Sequence, residues 1–116
     1  MKFMIMVFAA RTDLQAKPPE WVERMAAFMV RLEDELAHRG ELVYSEVLEY
    51  GDSATMVDRH GRTHHASFSG SSEPLSRYWV VKVPTESRAL EIAASVAEVV
   101  DTAVEVRRCM EQYLRP

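Results

Sequence analysis

The sequence predicts an α+β fold of the split βαβ, ferredoxin-like kind, with a hairpin inserted between its two halves. Three observations carry the prediction. The segments run strand, helix, strand, hairpin, strand, helix, strand, which is the order of that arrangement. Two segments, "FMIMVFAA" and "RYWVVKV", are rich in strand formers and apolar on both alternating faces. The 116 residues suffice for one hydrophobic core and are too few for two, so 1–116 reads as a single domain.

Each element has a local reason. Phe3 to Ala10 contains no turn residue, and both Phe3/Ile5/Val7 and Met4/Met6/Phe8 are apolar, so a first strand buried on both faces is expected. In "KPPEWVERMAAFMVRLEDELAHRG", Pro18 and Pro19 suit a first helical turn, Glu20 and Glu23 suit the positive end of the helix dipole, and Gly40 suits the position past the end. Val22, Met25, Met29, Leu32 and Leu36 recur at steps of three and four and form its core stripe. "ELVYSEVLEY" is the second strand, broken by "GDS". "ATMVDR" and "RTHHAS" form a hairpin around a two-residue His60-Gly61 turn. After the loop "SGSSEP" comes the strand "RYWVVKV". Thr85 then caps a second helix with Ala89, Ala93, Val96 and Val100 inward, and "TAVEVRRC" closes the domain.

In that arrangement two helices cover one sheet face and leave the other bare. An apolar bare face marks an interaction surface, and a homodimer packed sheet against sheet is the economical way to cover it. The net charge of −4 argues against a nucleic-acid partner, and the absence of a basic run argues against a membrane patch. Cys109 is the single cysteine, which excludes an intrachain disulfide and fits a cytoplasmic protein.

Three of the four histidines, His60, His64 and His65, fall in "RHGRTHHASFSG". Adjacent strand residues point to opposite faces, so His64 and His65 do not share one ion, and no metal site is expected. With His60-Gly61 as the turn, Asp58 pairs with Thr63 and Met56 with His65. Asp58 and His65 then lie diagonally on one face, where a carboxylate orients an imidazole for general-base work. A register slip of one residue brings in His64 instead. The competing reading is a solvated hairpin. Glu105 and Arg107 share one face of the last strand, either as a proton carrier and an anion holder or as an ion pair at a rim. Tyr78 donates to a substrate oxygen or packs in the core, and Trp21 packs at the helix start or lines a pocket mouth. No phosphate loop or nucleotide fingerprint occurs, so no cofactor is expected.

The opening "MKFMIMVF", the phrase "FSGSSEPLSRYWVVKV" and the closing "VEVRR" together resemble the DGPF-type branch of the YCII-related proteins. Their Asp-Gly-Pro-Phe motif aligns its phenylalanine with Phe68, its following glutamate with Glu73, its leucine with Leu75 and its aromatic with Tyr78; the closing motif aligns with Glu105, Val106 and Arg107. His65-Ala66-Ser67 replaces Asp-Gly-Pro, and Arg108 replaces a proline. The resemblance implies a homodimeric α+β barrel, and it puts His65 where an ionisable group is usual. The expectation is a cofactor-independent enzyme performing proton-transfer chemistry, an isomerisation, elimination or cyclisation, on an organic acid, phenol or polyketide-like substrate. His65, Asp58 and Tyr78 would be catalytic, with Arg107, Glu105, His64 and Trp21 around the substrate. The alternative is a non-catalytic dimeric ligand-binding or accessory protein.

Overall fold

The structure is a computed structural model that describes residues 1–68 and 73–111. Its elements are β1 (Lys2–Phe8), α1 (Arg11–Gln15), α2 (Pro19–His38), β2 (Leu42–Val47), a 3-10 turn (Gly51–Ser53), β3 (Met56–Val57), β4 (Thr63–His64), β5 (Leu75–Lys82), α3 (Glu86–Val100) and β6 (Val104–Arg108). Four strands form an antiparallel sheet in the order β2-β5-β1-β6, and β3 and β4 form a separate two-stranded ribbon. The fold is therefore mixed α+β, with an open sheet rather than a barrel closed within one chain. No helix among the described residues is long and apolar enough to cross a membrane.

The core lies between the sheet and the two long helices. Phe3, Ile5 and Val7 of β1 and Trp79 and Val81 of β5 meet Met29, Leu32 and Leu36 of α2 and Ala89, Ile92, Ala93, Val96 and Val100 of α3. Burying a side chain the size of Ile5 or Leu36, both fully inaccessible, stabilises the fold by about 1.5–3 kcal/mol. The inward stripe of α2 differs from the expected one at its start. Val22 is exposed and Trp21 is buried, so the stripe enters one residue earlier.

Chain ends of the helices follow local chemistry. Pro19 stands at the start of α2, where its missing N–H breaks no hydrogen bond. At the other end Gly40 takes a positive φ of 68°, and the N–H groups of Gly40 and Glu41 donate to the carbonyls of Ala37 (3.1 Å) and Leu36 (2.8 Å). That pair of bonds satisfies the last carbonyls and turns the chain into β2. The N–H of Arg88 donates to the Thr85 hydroxyl at 3.2 Å, the expected cap of α3.

Three features were absent from the sequence reading. A five-residue helix, α1, fills the link between β1 and α2. The second strand ends at Val47, and residues 48–50 run on as irregular chain. The hairpin pairs Met56 with His64 and Val57 with Thr63, one residue out of the expected register. The reason is the turn. Gly61 takes a positive φ of 78° as the last of three loop residues, and the Asp58 carboxylate accepts from the N–H groups of His60 (2.8 Å) and Arg62 (2.9 Å). A three-residue loop ending in a left-handed glycine replaces the two-residue turn. The predicted loop at 69–74 lies mostly outside the described residues.

The sheet face away from the helices carries Met4 and Met6 of β1 beside Val80 and Tyr78 of β5, with Arg107 and Glu105 of β6 as their other cross-strand neighbours. Met6 is buried and Tyr44 of β2 is exposed, with its ring 6.2 Å from that of Tyr78. No helix among the described residues covers this face.

Candidate functional site

A cavity of about 560 Å³ opens between the sheet and the N-terminal part of α2. Its apolar wall is built from Val7 of β1, Val47 of β2, Trp21 and Met25 of α2 and Val100 of α3. The core stripe of α2 is tightly packed from Met29 onward, and the cavity begins where that packing stops. The irregular chain after β2 supplies Leu48, Glu49, Tyr50, Asp52 and Ser53, and α1 supplies Arg11. The two elements absent from the sequence reading are thus the ones that rim the cavity.

The rim is held by charge and ring contacts. Arg11 pairs with Asp52 at 2.8 Å and lies over the Tyr50 ring, 4.8 Å from its centroid. Gly51 permits the 3-10 turn to lie against Pro74, because a Cβ there would collide with the proline ring. The Ser53 hydroxyl donates to Glu49 at 3.3 Å. No cation pairs with Glu49 among the described residues. A second cavity, of about 610 Å³, lies on the other side of this segment under the hairpin and is lined by Phe8, Met56, Phe68 and Pro74.

On the sheet floor stands Arg77. The alternation of β5 puts it on the face of Trp79, with Val7 and Val47 as cross-strand neighbours. Its guanidinium carbon lies 4.9 Å from the centroid of the Trp79 ring, and its Nε is buried with no hydrogen-bond partner. Burial pulls its pKa below the ordinary arginine value, and the Glu33 carboxylate opposes that shift. Glu33 itself accepts from the Ser45 hydroxyl at 2.8 Å.

The residues singled out from sequence are dispersed. Trp21 lines the cavity. His65 is exposed and lies outside the ribbon pairing, so the expected Asp58–His65 arrangement is replaced: Asp58 faces His64 Nε2 at 3.6 Å. The Asp58 pKa is lowered, foremost by the Arg62 N–H that it accepts, so this carboxylate serves the turn. All four histidines are exposed. Tyr78, Glu105 and Arg107 share the uncovered sheet face, where Arg107 and Glu105 approach to 3.8 Å with side chains 75% and 49% exposed. Among the described residues no three His, Cys, Asp or Glu side chains gather as a metal site would require. The signal for Arg77 in the sequence is its period-two alternation with Trp79 and Val81, which marks it as a charge on a buried face. No protein-family model matches the chain, and no curated protein matches it.

Proposed function

We propose that the chain is a small-molecule protein that takes an organic acid, phenol or polyketide-like compound into the cavity between the sheet and α2. The observation that carries this reading is the cavity itself: about 560 Å³ of largely apolar space with a few polar groups in its lining, the usual form of a ligand site. Glu49, on the wall and unpaired with any described cation, is the group suited to accept a proton from a bound substrate. Chemistry of that kind, isomerisation, elimination or cyclisation, needs no cofactor. The second reading, binding without turnover, is favoured by the exposure of all four histidines, which leaves the cavity without an imidazole.

The proposal extends to the assembly and the lineage. The strand order β2-β5-β1-β6, with α2 and α3 as the crossovers, supports a ferredoxin-like reading. The uncovered face with Met4, Met6, Tyr78 and Val80 supports a homodimer joined sheet to sheet, as the resemblance to YCII-related proteins implies.

Three measurements test these readings. Calorimetric titration with naphthalene-sized acids and phenols should give saturable binding that Met25→Trp, which fills the cavity, abolishes; no binding by any of them ends the ligand-site reading. Turnover that survives Glu49→Gln would remove Glu49 from the chemistry. Sedimentation should give a dimer that Val80→Glu dissociates, and a monomeric wild type would dispose of the sheet-to-sheet assembly.

A further inference from the structure

We infer that Arg77 is the recognition group of this cavity, and that its ligand is a flat apolar monoanion whose single carboxylate or phenolate oxygen sits against the Arg77 guanidinium. The inference rests on the cavity being a ligand site and adds to it the charge and shape that the site selects.

Four observations point the same way. The cross-strand neighbours of Arg77 are Val7 and Val47, and neither side chain offers an acceptor. The Trp79 ring occupies one face of the guanidinium, so its N–H edges are the bonding directions left. One of those donors, Nε, is buried without a partner. The other cation on the cavity wall, Arg11, is already tied to Asp52 at 2.8 Å. An arginine stays protonated at neutral pH, so a cation with an unpartnered buried donor stands on the wall of a largely apolar cavity. An oxyanion is the chemical group that completes it, because a carboxylate matches two parallel N–H bonds of a guanidinium edge.

The rest of the lining sets the remainder of the ligand. Val7, Trp21, Met25 and Val100 favour an apolar body, and the aromatic face of Trp21 favours a flat one. Glu49 stands on the same wall, so a second negative charge on the ligand would meet a like charge. A monoanion fits this wall and a dianion does not.

The test compares 2-naphthoate with 2-naphthamide, which has nearly the same shape and no charge, by calorimetry at pH 7. Wild type should bind the acid about tenfold or more tightly than the amide, as expected for a charge-assisted hydrogen-bonded pair. In Arg77→Met the two should bind equally, with the amide affinity retained, and Arg77→Lys should restore part of the preference. Naphthalene-2,6-dicarboxylate should bind wild type more weakly than the monoacid. Equal binding of acid and amide to wild type would overturn the Arg77 assignment and leave the cavity standing as a ligand site. Retention of the acid preference in Arg77→Met would overturn it too, placing the anion elsewhere. If neither probe binds, the ligand-site reading falls and this inference falls with it. Should Arg77→Met fail to fold, the wild-type ratio and its weakening by salt still decide the question, because equal affinities or an acid affinity indifferent to salt would contradict an ion pair.

Discussion

Two arginines enter the layer between sheet and helices, and their surroundings are opposite. Arg88, in the first turn of α3, reaches the corner where α2 turns into β2. Its Nε and Nη2 donate to the two oxygens of the buried Glu41 at 3.0 and 2.9 Å, and its Nη1 donates to Glu91 at 2.6 Å. Glu35 lies 3.5 Å from the same guanidinium. The Arg88 hydrogen bond holds the Glu41 carboxyl below its ordinary value, and the same bond raises Arg88. Arg77 lies at the other end of α2, where burial pulls its pKa down and its Nε has no acceptor. The comparison separates two uses of a buried charge. Where every donor is satisfied the charge joins elements of the fold. Where donors remain open the charge destabilises the free protein and is available to something that binds.

The largest effect should come from breaking the satisfied corner. Glu41→Ala leaves Arg88 half-buried with only its weaker partners, and should lower stability in urea unfolding by about 3 kcal/mol, the low end for a broken buried pair. A loss under about 0.5 kcal/mol, the scale of an exposed pair, would mean that the corner is solvated.

Acid should act on the same corner. Glu41 has a lowered pKa in the folded chain, so its contribution is complete above the unfolded carboxyl value near 4.5 and is lost as pH falls through the folded value. Unfolding free energy measured from pH 6 down to pH 2 should therefore fall less steeply in Glu41→Gln than in wild type. Equal slopes would sink the assignment.

Arg77 should respond with the opposite sign. Arg77→Met removes an unpaired charge from a site that is partly open to solvent, and should raise stability by about 1 kcal/mol in the absence of ligand. A loss as large as that of Glu41→Ala would erase the contrast between the two arginines.

The smallest effect is expected at the rim. Arg11 and Asp52 are 49% and 59% exposed in their side chains, so Arg11→Ala should cost at most about 0.5 kcal/mol. Its informative readout is access: acrylamide quenching of Trp21, which lines the cavity, should increase while the deeply buried Trp79 stays protected. Unchanged quenching would show that the Arg11–Asp52 pair does not guard the mouth.

Much of the frame was readable in the residues because local rules govern it. Alternating apolar sets marked β1, three-and-four spacing marked α2, Thr85 marked the start of α3 and Gly40 marked the end of α2. The candidate site was far less readable. The hairpin register turned on a single carboxylate, because Asp58 captures two N–H groups and lets Gly61 close a three-residue loop, which exchanges His65 for His64. The cavity was hidden for a different reason. Its rim comes from α1, a five-residue helix too short to show a periodicity, and from residues 48–53, of which 48–50 read as the end of the second strand and fold instead as irregular chain.

By itself, the sequence determined the main strands and the two long helices, their order, and which faces are apolar, since these follow from periodicities of two and 3.6 residues and from the chemistry of helix ends. Only the tertiary structure decided which charges find partners. Arg88 meets Glu41 across 47 positions of chain, while Arg77, equally charged and also drawn inward, lies against the Trp79 ring with Val7 and Val47 as strand neighbours and finds no acceptor for its Nε. Pairing depends on distances between elements far apart in the chain, and no local pattern encodes those distances.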